Sequence, residues 1–274
     1  MISTPKLPHL ADYHTHTPLC LHATGEPEEF IARAKQLELA EYGISDHAPQ
    51  TPEPFDDWRM KQADLPAYLE WIDRAKTAAG KDLIVRSGLE CDWVPGNQSF
   101  LEGLADAHDW DYLIGSVHYL ADRWDFDNPK WLGRWGETDV DEVWDQYWET
   151  YSEMAATGLF DILAHPDLIK KFGFFPKGDL RRFYDPAIEA IVKSGAAIEL
   201  NTAGFHKPCA EQYPSRDFLS LAAEANIPIT ISSDAHAPEE VGRDFPAAEL
   251  LLGLTGFTHT ARFNQRQRSL VPLP

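Results

Sequence analysis

His14 and His16 are separated by one residue in the run Leu-Ala-Asp-Tyr-His-Thr-His that ends at His16. Such a run reads as a strand, and residues two apart on a strand point to the same side. The two imidazoles therefore project together, and neutral imidazole is a common ligand for first-row transition metals. Alone, the pair is weak evidence, since two histidines also meet on a wet edge. Recurrence gives it weight. Asp46-His47 ends a second short run, Glu90 a third, His118 a fourth and His165 a fifth. Asp234-Ala235-His236 ends the last, and His22 follows closely on the first.

Seven imidazoles with two or three carboxylates exceed what one ion takes. Zinc takes about four ligands, and a catalytic zinc keeps one position for water. The set divides better among two or three ions, with Glu90 as a bridge. Mixed imidazole and carboxylate ligation suits Zn, Fe or Mn and disfavours an all-oxygen Ca site. The other four histidines, His9, His108, His206 and His259, lack this placement and read as ordinary surface or core residues.

The elements that must position these residues alternate along the chain. Strands are expected at 10–16, 42–46, 83–91, 112–119, 160–165, 196–201 and 228–234, with 257–263 as a last candidate. Helices are expected at 26–39, 65–79, 99–108, 140–157, 185–193, 215–225 and 246–254. In the first of these, Phe30, Ile31, Ala34 and Leu37 recur at helical spacing behind Pro27. Gly80, Gly158 and Gly195 stand where helices stop. Segments 48–64 and 120–137 read as loops. Strand–helix alternation means a parallel sheet with covering helices. Seven strands predict a closed or nearly closed α/β barrel, with an open doubly wound sheet as the alternative. In such a barrel all C-terminal strand ends open onto one face. No linker or composition break divides the chain, so residues 1–274 are expected to form one domain.

The formal net charge of −20 opposes binding to nucleic acid or an anionic membrane. Cys20, Cys91 and Cys209 are far apart and odd in number, which argues against a disulfide framework and for a reducing compartment. The first ten residues carry no apolar core of a signal peptide. No apolar stretch approaches the ~18 residues of a membrane span. A cytoplasmic location is the expectation.

Other residues are candidates for contacts around the rim. Ser116 and Asn201 lie at or near strand ends, either to hydrogen-bond a substrate or to brace ligands. Lys170 and Lys171, just after His165-Pro166-Asp167, are candidates to hold an anion; Arg181, Arg182 and Arg243 are weaker ones. Cys20 has no visible activating partner and reads as packing. Trp124, Trp131 and Trp135 in the second loop are candidates to cover the mouth.

The ordered set His14-x-His16, His22, Asp46-His47, Glu90, His118, His165 and Asp234-x-His236 resembles the polymerase-and-histidinol-phosphatase (PHP) superfamily. Longer stretches are similar to its monofunctional histidinol-phosphate phosphatases: His14-Thr-His-Thr-Pro-Leu-Cys, Gly115-Ser-Val-His-Tyr-Leu, Asn201-Thr-Ala-Gly and Ser233-Asp-Ala-His-Ala-Pro. The similarity runs from about Leu10 to Gly256. It implies a distorted, TIM-like (β/α)7 barrel with a trinuclear site of Zn, Fe or Mn. By that resemblance, one metal takes His14, His16, Glu90 and Asp234, and a second takes His22, His47 and His236. A third takes His118 and His165 and shares Glu90. Asp46 precedes His47 and is expected to orient it.

The rim and the resemblance together predict hydrolysis of L-histidinol phosphate to L-histidinol and phosphate. A hydroxide bridging two metals would attack phosphorus in line. Lys170, Lys171 and Ser116 would steady the phosphoryl oxygens, and Asp234 or His236 would relay a proton. Asp122, Asp125, Asp127 and Trp124 are candidates for the substrate's ammonium and imidazole. The expected partner is thus a small phosphate monoester, with no nucleic acid or membrane. A nucleotide or phosphotyrosine phosphoesterase is the alternative enzyme, and a non-catalytic metal-binding module the alternative class. Metal-dependent amide hydrolysis would call for a bridging lysine at a strand end, and none is seen.

Overall fold

The computed structural model describes residues 5–274. Its strands are β1 (Ala11–Asp12), β2 (Glu41–Ile44), β3 (Ile84–Ser87), β4 (Glu90–Asp92), β5 (Ile114–Ser116), β6 (Tyr119–Leu120), β7 (Trp124–Asp125), β8 (Ile162–Leu163), β9 (Ala197–Asn201), β10 (Ile229–Ser232), β11 (His259–Asn264) and β12 (Gln267–Pro272). Its helices are α1 (Pro27–Gln36), α2 (Leu65–Ala79), α3 (Gln98–Ala105), α4 (Leu132–Trp135), α5 (Val140–Ala156), α6 (Arg181–Ser194), α7 (Arg216–Glu224) and α8 (Phe245–Thr255).

Two parallel sheets form, β1-β2-β3 and β10-β9-β8-β5-β4. They meet at two parallel bridges, His47 with Glu90 and Thr15 with Ala235. With β3 and β4 taken as one interrupted strand, seven strands close into a ring. The expected α/β barrel is therefore present, and it is distorted because the two seams are single bridges instead of continuous ladders. The interior is narrow. A Cβ on Gly88 would come within 2.6 Å of the Tyr112 ring, and one on Gly43 within 2.8 Å of the Tyr13 ring.

Local signals set the covering helices. Pro27 opens α1, and Glu26 and Glu29 form a reciprocal capping box. The α2 helix buries Tyr68, Ile72, Ala75 and Ala79 on one stripe and ends at Gly80, whose φ is 61°. Asp139 caps α5, which buries Trp144, Tyr147, Trp148 and Tyr151. The α6 helix starts earlier than its sequence suggests. Phe183, Tyr184, Ala187 and Ile191 form its buried stripe, so burial carries the helix through Pro186.

The last candidate strand is present as β11 and gains a partner, β12, that the sequence did not suggest. Residues 257–263 do not add a strand to the barrel; β11 pairs antiparallel with β12 as a hairpin. The hairpin covers the N-terminal ends of the strands. Arg262 donates to the His9 carbonyl at 2.6 Å, and Arg266 to the Leu159 carbonyl at 2.6 Å. Ala261 and Phe263 complete an inner apolar cluster with Tyr13, Tyr112, Ile114 and Ile162. That plug leaves the opposite mouth as the open one.

Candidate metal centre

Most of the predicted ligands lie just beyond strand ends; Glu90 instead opens β4, because the expected third strand is interrupted after Ser87. His14 follows β1 by two residues, His118 follows β5, His165 follows β8 and Asp234 follows β10 by the same interval. There the ladders end and the backbone turns inward. His165 and Asp234 adopt φ of 23° and 55°, a left-handed conformation that non-glycine residues hold only when surroundings enforce it. The Thr15–Ala235 seam brings the first and last strands together, with His16 N donating to the Ala235 carbonyl at 2.9 Å.

Glu90 is the hub. Its Oε2 lies 2.7 Å from His47 Nδ1, 3.3 Å from His14 Nε2 and 3.7 Å from His16 Nε2. Its Oε1 lies 3.1 Å from His165 Nε2 and 3.7 Å from His118 Nε2. His16 Nε2 is also 3.0 Å from Asp234 Oδ1. The His16 and His236 rings stack with centroids 4.0 Å apart, and His22 and His236 lie 4.6 Å apart. All seven predicted imidazoles and both predicted carboxylates thus gather in one cluster.

A second layer of groups grips the outer ring nitrogens. His14 Nδ1 faces both Glu199 oxygens at 3.0 and 3.1 Å. His118 Nδ1 lies 2.6 Å from Asp92 Oδ1, and His16 Nδ1 lies 3.3 Å from Asp46 Oδ1. His22 Nδ1 donates to the Cys20 carbonyl at 2.8 Å, and His236 Nδ1 to the Asp234 carbonyl at 2.9 Å. A carboxylate or carbonyl on the outer nitrogen fixes the tautomer and turns the other nitrogen toward an ion.

The electrostatics fit a cation. Burial raises the Glu90 carboxyl, but His47, His14 and His118 override it and hold it well below the carboxylate range. Burial lowers His118, but Asp92 and Glu90 push it up to about 10. Burial takes His47 down to about 4 against the pull of Glu90. Burial and the neighbouring His16 hold His236 well below its usual value. The imidazoles cannot all carry protons so close together. Meanwhile His14 Nε2, His236 Nε2 and Glu90 Oε2 are buried without any hydrogen bond. Unpartnered buried atoms are costly unless something binds them. Donor atoms of His14, His16 and Glu90 lie within 4.8 Å of one another, as do those of His16, His47 and His236, and of His47, Glu90 and His118. These residues fit divalent metal ions.

A cavity of about 580 Å³ opens onto this cluster. Lys171, Arg243, Asp125 and Asp127 line it. Lys171 pairs with Asp127 at 2.7 Å. Lys170 and Ser116 do not line it. The Lys170 ammonium is fully buried and donates to Glu211 at 2.6 Å and to the Gln212 carbonyl at 2.8 Å. Ser116 donates to Asp92 at 3.3 Å. Asn201 braces, donating to Glu199 at 2.9 Å and Asp234 at 3.2 Å. Cys20 is buried, and burial pushes its thiol up, which agrees with packing. Arg181 and Arg182 pair with Asp185 and Asp141 on the surface. Trp124 and Trp135 pack on each other with ring centroids 5.3 Å apart and do not cover the mouth.

Sequence reasoning missed three residues here. Asp92 and Glu199 are the outer partners of His118 and His14. Trp58, in the loop after β2, lines the cavity with its ring 4.7 Å from that of His47. Asp92 carried one signal, its position two residues after Glu90 on a strand. Glu199 carried a similar one, two residues before Asn201.

Comparison with known proteins identifies the family. The PHP domain family matches residues 12–203, and the PHP-associated family matches residues 216–244. A Deinococcus radiodurans protein named as a probable histidinol-phosphatase is 40% identical, over 94% of this chain and 98% of its own length. A Bacillus subtilis histidinol-phosphatase is 27% identical, over 86% of this chain and 97% of its own. The crystal structure of a Lactococcus lactis histidinol phosphate phosphatase, complexed with zinc, L-histidinol and phosphate, superposes with a TM-score of 0.81. It is 20% identical and covers 95% of this chain and 99% of its own, a likeness of fold. With a family model that matches most of its length and a relative 40% identical over nearly the whole of both chains, this chain belongs to the PHP domain family.

Proposed function

We propose that this chain is a metal-dependent phosphomonoesterase that hydrolyses L-histidinol phosphate to L-histidinol and inorganic phosphate. The observation that carries this reading is the Glu90-centred cluster of buried, unpartnered donors, which faces a cavity walled by both cations and carboxylates. The 40% identity to a protein named as a probable histidinol-phosphatase supports the substrate. The Lactococcus structure, which holds zinc, histidinol and phosphate on the same fold, supports the chemistry.

In this reading His14, His16, Glu90 and Asp234 hold one ion, and His22, His47 and His236 a second. His118 and His165 hold a third and share Glu90. Zn, Fe and Mn suit this donor set. Bound ions supply Lewis acidity, which activates water and screens phosphoryl charge. Lys171 attracts the phosphoryl group, and its pairing with Asp127 keeps the ammonium over the cavity. The leaving oxygen takes up a proton, for which Asp234 is the better-placed group, since His236 has its Nδ1 on the Asp234 carbonyl and its Nε2 facing the ion. Asp46, Asp92 and Glu199 hold the rings still, and the fixed rings spare reorganisation during reaction. Residues 1–274 act as one catalytic domain, and a cytoplasmic setting suits the three free thiols. Among the described residues, no helix is long and apolar enough to cross a membrane. The partner is a small phosphate monoester, since a charge of −20 opposes a nucleic acid.

The test is phosphate release from a panel of phosphomonoesters by protein purified with its metal. L-Histidinol phosphate should be the best substrate, and a chelator should abolish turnover. Faster turnover of a nucleotide or of phosphotyrosine would overturn the substrate assignment.

A further inference from the structure

Four carboxylates outside the proposed ligand set line the cavity: Asp57, Asp125, Asp127 and Glu240. Three have a cation of their own. Asp57 pairs with Lys130 at 2.8 Å, Asp127 with Lys171 at 2.7 Å and Glu240 with Arg243 at 3.0 Å. Asp125 differs. Its Oδ2 accepts from two neutral donors, Trp58 Nε1 at 3.1 Å and Asn128 Nδ2 at 2.8 Å. Among the described residues, no basic side chain lies within ion-pair distance of it. Only 6% of its surface is exposed, so water compensates little of its charge. His118 and Lys130 act on it only from beyond ion-pair distance, and a buried carboxylate without a direct partner is costly unless a ligand supplies one.

The position of Asp125 suits a ligand. It is held in place by Trp58, whose ring also lies 5.6 Å from that of His118, one of the proposed metal ligands. Asp125 therefore stands beside the reaction centre, on a wall rigid enough to orient what binds. Burial and the neighbouring Asp127 push its carboxyl up to about 7, a cost that an approaching cation would relieve. The cavity then has two poles. Lys171 marks the end that receives the phosphate anion, and Asp125 marks the end that receives a cation.

We infer that Asp125 is the specificity-determining residue that binds a cationic nitrogen of the substrate, selecting amine-bearing phosphomonoesters over those without an amine. This rests on the phosphomonoesterase reading above. It adds that selectivity comes from one carboxylate, with Trp58 and Asn128 positioning it.

The experiment compares wild type with Asp125→Asn, which retains the shape and leaves an oxygen for Trp58. Three esters are assayed with the metal-loaded protein: L-histidinol phosphate, 2-aminopropyl phosphate, which lacks the imidazole, and propyl phosphate, which lacks both. The ratio of kcat/KM for L-histidinol phosphate over propyl phosphate should fall about tenfold or more, carried mainly by KM. 2-Aminopropyl phosphate, which carries the same ammonium, should show a matching fall; a fall confined to L-histidinol phosphate would overturn the amine assignment. L-Histidinol binding, followed by calorimetry, should weaken by a similar factor. An unchanged ratio in Asp125→Asn would overturn the inference and leave the phosphatase reading standing. Turnover of none of the three by wild type would overturn that reading, and the inference with it.

Discussion

His14 Nδ1 and the Glu199 carboxylate face each other at 3.0 and 3.1 Å, both fully buried. Glu199 also accepts from the His165 backbone N–H at 2.8 Å and from Asn201 at 2.9 Å, and Asn201 reaches Asp234 at 3.2 Å. One carboxylate thus ties three proposed ligands on three different strands into a single frame. Outer partners of metal-ligating histidines typically change affinity by about 10–100-fold when removed. Glu199→Gln should therefore weaken metal binding by about that factor, measured by competition with a chromogenic chelator. Wild-type affinity in this variant would mean that the frame does not matter.

Arg59 makes the corresponding frame on the other side. It donates to Asp92 at 2.7 Å and to Asp56 at 2.6 Å, and Asp92 holds His118. The guanidinium is buried, and its removal would take the direct counter-charge from Asp56 and one of two from Asp92. Breaking a buried pair costs about 3–5 kcal/mol. Arg59→Ala should lose that much stability in denaturant unfolding. A loss under about 1 kcal/mol would show that water replaces the guanidinium.

The hairpin makes a separate prediction. Phe263 packs into the closed end of the barrel, with its ring 6.0 Å from that of Tyr13. Phe263→Ala should cost about 3–5 kcal/mol through the cavity it leaves. Metal content should stay at the wild-type level, because the hairpin lies at the opposite end from the rim. Loss of metal without loss of stability would contradict this division of the barrel.

These cases show what the sequence carries and what it does not. The rim histidines are legible because each ends an apolar run, and a parallel barrel brings all such ends to one face. A parallel sheet with covering helices is legible from seven strands alternating with helices, but closure is not, because the same alternation also fits an open doubly wound sheet. Glu199 is not, because a carboxylate between apolar neighbours reads as a solvated position until its distant partner His14 is known. Lys170 has the same problem in reverse. Beside Lys171 it looks like half of an anion site, yet Asp167 and Glu211 consume it. The hairpin escapes notice because β12, Gln-Arg-Ser-Leu-Val-Pro, is largely exposed and shows no buried face.

The most direct measurement is the metal content and activity of His14→Ala. His14 lies at the meeting point of Glu90, Glu199 and Asp234. Elemental analysis should show fewer ions per chain than wild type, and phosphate release from L-histidinol phosphate should drop at least about a hundredfold, while circular dichroism shows the barrel folded. Full activity with a full complement of metal would contradict the account.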